Sequence, residues 1–175
     1  NITLSGYTLG VELMGGGITT SRTWSALSQG LAYVISGDVI VYNDATLTIN
    51  AGAVLKFADG ASLVIANYNA GSSGANAGLL KAVGTSSARI TFTSLSGESG
   101  GWKGIYFGAR SDYFSGTVMN YCLVENAGAI NYDGVAANIT CHQTNLPTMT
   151  NCTIRNSSGY GVYSYASSPQ ISNVV

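Results

Sequence analysis

The sequence predicts an all-β chain wound as a right-handed, three-sided parallel β-helix, its coils each on the order of 22–30 in length. Three observations carry that expectation. Apolar–x–apolar triplets recur at eight-residue steps, turn residues separate them, and later segments echo one another at two fixed offsets. Three strands at eight-residue steps return the chain to its starting face, one turn of a three-sided solenoid.

Along the chain, Tyr7, Leu9, Val11 and Leu13 first alternate with Thr8, Gly10 and Glu12, the period of a half-buried strand. Gly15-Gly16-Gly17 breaks it. An open first coil would expose apolar core and an unpaired strand edge. This strand therefore either caps the chain's own first coil or pairs with a neighbouring molecule, which sets residues 1–21 apart from a β-helix over 22–175. Within that helix, Val39-Ile40-Val41, Leu47-Thr48-Ile49, Leu55-Lys56-Phe57 and Leu63-Val64-Ile65 each place two apolar residues on one face. Asn43-Asp44, Asn50-Ala51-Gly52 and Asp59-Gly60 supply the positive φ angles that the corners need. Residues 67–78, rich in Gly, Ala, Ser and Asn, read as a loop leaving one corner. The triplets resume at Leu80-Lys81-Ala82, Ile90-Thr91-Phe92 and Ile105-Tyr106-Phe107.

The last third repeats in longer words. Pro147-Thr148-Met149-Thr150-Asn151 is echoed by Pro169-Gln170-Ile171-Ser172-Asn173 at an offset of 22. Cys122-Leu123-Val124-Glu125-Asn126 is echoed by Cys152-Thr153-Ile154-Arg155-Asn156 at an offset of 30, which fits a coil carrying an eight-residue excursion. Under that offset Glu125 stacks beside Arg155 as a surface ion pair. The sequence stops at Val174-Val175, part-way through a coil begun at Pro169 and without a polar cap. Two readings stand: a longer solenoid trimmed there, or an end covered by another subunit through the head-to-tail contact that builds filaments.

Composition narrows the function classes. Charged residues are 9% of the 175, against about a quarter in ordinary globular domains. The net charge of −1 and the absence of any basic run give no footprint for nucleic acid. No stretch approaches the ~18 apolar residues that span a bilayer. The chain starts at Asn1 without Met, which reads as processing or trimming. Cys122, Cys141 and Cys152 are spaced unlike any zinc site and read as buried thiols, so no metal or cofactor is expected. Cys122 and Cys152 should stack inward on neighbouring coils and remain thiols, because parallel strands set their Cβ atoms side by side.

Several runs carry a resemblance: Thr23-Trp24-Ser25, Gly37-Asp38-Val39, Ala45-Thr46-Leu47-Thr48-Ile49-Asn50-Ala51-Gly52, Gly84-Thr85, Ile90-Thr91-Phe92-Thr93-Ser94 and Gly101-Trp102-Lys103-Gly104-Ile105. Together they resemble bacterial right-handed parallel β-helix repeat proteins of the cell surface, over about residues 23–175. The resemblance implies the fold and leaves function open, since such proteins include adhesins, scaffold modules and distant polysaccharide-degrading relatives.

The search for chemistry yields no catalytic assignment. Asp44, Asp59 and Asp133 read as turn residues, while Glu98 and Asp112 flank one strand and are the carboxylates placed to converge. His142, the single histidine, reads as a polar loop residue after Cys141. Ile105 and Phe107 share the inward parity, which turns Trp102, Gly104 and Tyr106 outward, with the two aromatics about 13 Å apart at ~3.3 Å per residue. That platform could stack sugar rings unless loop 108–116, with Tyr113 and Phe114, folds over it. Tyr160, Tyr163 and Tyr165 form either a ladder on the solenoid face or a contact surface. Asn1, Asn138, Asn151 and Asn156 head Asn-x-Ser/Thr sequons. Two functions follow as expectations. The first is a non-catalytic, secreted or cell-surface structural module, a rigid spacer or filament subunit that self-associates through Tyr7, Leu9, Val11, Leu13, Ile171, Val174 and Val175. The alternative is a carbohydrate-binding or polysaccharide-cleaving β-helix using Trp102, Tyr106, Glu98 and Asp112.

Overall fold

The structure is a computed structural model that describes residues 10–66, 77–109, 116–145 and 147–175. Their strands follow the chain in triplets, one triplet per coil. The first coil is β1 (Val11–Leu13), β2 (Gly16–Ile18) and β3 (Arg22–Trp24); the second is β4 (Tyr33–Ile35), β5 (Val39–Val41) and β6 (Ala45–Asn50). The third is β7 (Val54–Phe57), β8 (Leu63–Ile65) and β9 (Gly78–Val83); the fourth is β10 (Ile90–Ser94), β11 (Ile105–Phe107) and β12 (Val118–Asn120). The fifth is β13 (Cys122–Glu125), β14 (Ala137–His142) and β15 (Thr148–Thr150); the sixth is β16 (Thr153–Arg155), β17 (Tyr160–Tyr165) and β18 (Gln170–Ser172). Each strand pairs in parallel with the third strand before it and the third after it, which gives three parallel six-stranded sheets. This is a three-sided parallel β-helix.

The expected registers are the observed ones. Val39 lies beside Leu63, Thr148 beside Gln170 and Val124 beside Ile154, one pair for each of the three steps read from the sequence. In-register pairing stacks inward side chains into columns down the axis. Leu55, Phe92, Val124 and Ile154 make one; Val39, Leu63, Ile105 and Ile139 make another; Ile49, Ala82, Met119 and Met149 make the third. All but Ile154 are buried, and each large side chain so buried contributes about 1.5–3 kcal/mol.

The corners differ in what they tolerate. Between the third and first sheets the later coils turn on a single left-handed residue. Tyr121, Asn151 and Asn173 hold φ of 50°, 53° and 51° there, and Asn120, Asn151 and Asn173 pass side-chain amide bonds from coil to coil. The corners on either side of the second sheet carry the long excursions, including 95–104 and 126–136. Of the glycine-rich segment expected to loop out at 67–78, residues 67–76 lie outside the described residues, and Gly78 belongs to β9.

From Val11 onward the N-terminal strand lies on the chain's own next coil: β1, β2 and β3 pair with β4, β5 and β6. β1 ends at Leu13, before the Gly15–Gly17 run, and Gly16 and Gly17 then open β2, where a Cβ on Gly17 would strike the Tyr42 ring at 2.6 Å. One expectation is corrected here: Trp102 points inward. The alternation from Ile105 does not extend back through Gly104, whose φ of +87° belongs to the corner. Trp102 is fully buried, stacks on Phe57 with ring centroids 4.1 Å apart, and donates its indole N–H to the Glu125 carbonyl at 3.0 Å.

Trp102→Ala should therefore destabilise the fold by about 3–5 kcal/mol, read as a drop in the urea midpoint by circular dichroism. Gly104→Ala should also lower the midpoint, because its Cβ would lie 2.5 Å from the carbonyl oxygens of Ala137 and Asn138.

Candidate functional site

The long corner excursion 126–136 folds back over the outer face of the second sheet. Asn131 organises it: its side-chain oxygen accepts the backbone N–H of Asp133 at 2.9 Å and of Val135 at 3.1 Å. Its amide donates to the Thr140 hydroxyl on β14 at 2.7 Å, and both residues are buried. Asn138, beneath, accepts from Ala127 N–H and donates to the Arg155 carbonyl. It is fully buried, so one of the four sequons is a structural bracket inside the fold, and Asn156 heads one at an exposed corner.

Two polar clusters result. At the near end of the excursion, Tyr132 donates to Asp38 at 2.6 Å, although the two are 94 residues apart in sequence. Ser62 donates to the other Asp38 oxygen at 2.8 Å, and the Lys103 ammonium lies 3.6 Å from Asp38 and 5.2 Å over the Tyr132 ring. Loss of water, and then the Asp38 carboxylate that it donates to, push the Tyr132 hydroxyl up to about 12.

At the far end, Asp133 and His142 meet at 2.8 Å through Nδ1, and Tyr106 donates to the second Asp133 oxygen at 3.3 Å. Register explains the surroundings. On the outward parity Tyr106 stacks beside Thr140 and Thr140 beside Tyr163, while His142 stands beside Tyr165. The His142 and Tyr165 rings lie 5.1 Å apart, and Tyr160 and Tyr163 lie 5.5 Å apart. Asp133, His142, Tyr163 and Tyr165 line a half-open pocket of about 260 Å³.

The expected carbohydrate platform is not assembled as drawn. Trp102 is in the core, and Tyr106 does face outward but is covered, edge-on, by Tyr132 at 5.6 Å. The cover is the 126–136 excursion; Tyr113, Phe114 and Asp112 lie outside the described residues, and Glu98 is exposed on the 95–104 excursion. Conversely, Asp133 and His142, taken in sequence for a turn residue and a bland loop residue, form the polar end of the pocket. The signal that could have joined them is the Tyr run, since one coil step sets Tyr165 beside His142.

The remaining candidates fall as follows. Tyr7 and Leu9 lie outside the described residues, and Val11 and Leu13 are half-buried in β1. Ile171 is 50% exposed on the last coil, Val174 packs against the core, and Val175 is 85% exposed. Glu125 pairs with Arg155 at 2.8 Å, as the longer of the two sequence offsets requires. Cys122, Cys141 and Cys152 are free, buried thiols. A hydrogen bond with Cys152, reinforced by burial, pushes the Cys122 thiol up, and burial pushes Cys141 up to about 12. Among the described residues no cluster of His, Cys, Asp and Glu could hold a metal ion, and no helix is long and apolar enough to cross a membrane. Compared with family models, with curated proteins and with solved structures, the chain matches none.

The buried Cys141 thiol and the Tyr132 phenol set an alkaline limit. Both are held neutral in the fold and ionise more readily when unfolded, at 9.0 and 10.0 in the ordinary case. The native state thus holds more protons as pH rises from those values to about 12, and stability falls across that window. Urea midpoints measured against pH should decline there, and the decline should be shallower in a Cys141→Ala, Tyr132→Phe double variant.

Proposed function

We propose that this chain is a non-catalytic structural module of a secreted or cell-surface protein, a stiff solenoid that grows by laying coil on coil. One observation carries the reading. Val175 already lies as the start of a further strand on the first sheet: its N–H donates to the Cys152 carbonyl at 3.1 Å, and its carbonyl accepts from Ile154 N–H at 2.7 Å. The sixth coil thus acts as a template for another at the shorter of the two steps. Beside that start, β17 and β18 are the outermost strands of their sheets, and Ile171, half exposed, continues the column of Met119 and Met149.

A parallel strand backed by apolar side chains accepts a further like coil in the same register, whether from the chain's own continuation or from a second copy. In a repeat solenoid each coil contacts only its neighbours, so an added coil finds the same interface that the internal ones use. The low charge of the surface suits a wall or matrix setting and suits close lateral contact, since little like-charge repulsion opposes it.

Sedimentation velocity over a wide concentration range, with negative-stain microscopy of the same samples, tests the assembly. Head-to-tail rods that grow with concentration, and that shorten or vanish in Ile171→Asp, are expected. A single monomeric species at every concentration overturns it.

A further inference from the structure

The pocket on the outer face of the second sheet has the composition of a small-ligand site, and its tyrosine wall stands on β17, the last strand of that sheet. We propose that it binds a neutral sugar, one or two pyranose rings of a glycan, with Tyr165 and Tyr163 as the stacking wall and the Asp133–His142 pair as the hydrogen-bonding end.

Three features carry this. The first is shape: a half-open pocket of about 260 Å³ lies just below the ~300–1,000 Å³ of drug-sized ligand sites, which suits a ring or two and not a long chain. The second is chemistry. Tyr165 is 51% exposed and lines the pocket with Tyr163, so ring surface stays in water although the core is well supplied with aliphatic residues. The negative face of an aromatic ring attracts the positively polarised C–H groups on one side of a pyranose, and the tyrosine hydroxyl remains available at its rim.

The third is rigidity. Asp133 is fixed from three directions, by the Asn131 turn at its backbone, by Tyr106 at one oxygen and by His142 at the other. Tyr106 and Asn131 are themselves buried, so they act as positioning residues that hold the carboxylate at the pocket wall. A carboxylate held in that way accepts hydrogen bonds from vicinal hydroxyls at little ordering cost. The same negative charge repels uronic and sialic acids, which makes the site selective for neutral rings.

The test uses the whole chain and short soluble β-linked oligomers of glucose, mannose, galactose and N-acetylglucosamine, with oligogalacturonate as the acidic comparison. Binding is read by saturation-transfer NMR and by titration calorimetry. At least one neutral oligomer is expected to bind. Tyr165→Ala should weaken it by about tenfold, since a lost aromatic contact of ~1.4 kcal/mol is a factor of ten, while Tyr165→Phe retains most of the affinity. Asp133→Asn should weaken the neutral ligand and lessen the discrimination against oligogalacturonate. Tyr165 is exposed, so an unchanged urea midpoint in Tyr165→Ala separates lost binding from lost fold. The proposal is overturned if no neutral oligomer binds, if Tyr165→Ala binds as the parent does, or if oligogalacturonate binds more tightly than the neutral series. Tyr163 and Tyr165 stand on β17, an outermost strand, with the outward parity of Thr140 and His142, so the two readings are told apart by repeating the titration in Ile171→Asp, a change on β18: sugar binding that persists there is independent of coil stacking.

Discussion

Every part of this molecule depends on strands meeting their counterparts residue over residue, coil after coil. Parallel pairing fixes which side chains share a column, and a slip of one residue would turn each column inside out. The inward columns are buried without interruption from Ile35 to Cys152, so register is set by the core and not by local propensity. Because the strands are mostly three to six residues long, none would persist alone. The coil is the smallest unit with meaning, and the stack is the smallest unit with stability.

That constraint governs where variation is admitted. The turn from the third sheet to the first is short in the later coils, sealed by left-handed residues and side-chain amides. The corners bordering the second sheet absorb excursions, yet the strands that follow return to register: Ile105 lies beside Leu63 although the coil between them is far longer than its neighbours. Sheet two is consequently the face overlooked by loops, and the one on which distant residues such as Asp38 and Tyr132 are brought together. Its pocket is a product of the architecture and not of any short motif.

The fold was legible because its signal is periodic. Triplet spacing and the two later echoes read directly as register, and the Glu125–Arg155 pair followed from one offset. The site was legible only in part. Tyr106 was placed on the right face, and the Tyr run was recognised, but alternation was carried across Gly104 and so turned Trp102 to the wrong side. Asp133 and His142 were missed because a loop folding back on a sheet leaves no period in the sequence. Their partnership depends on Asn131 docking on Thr140, a tertiary bond that neither neighbourhood announces.

The run of chain around the axis also has a mechanical meaning. Strands lie across the axis while the hydrogen bonds between coils lie along it, so tension between the two ends loads those bonds end-on and not in shear. An end coil has one neighbour where an internal coil has two, and it yields first. Under stretching such a rod would shed its coils singly from an end. Each step would release one turn of chain, short where the corners are tight and long where they carry an excursion. Material of that kind lengthens under load in stages and leaves the rest of the column standing.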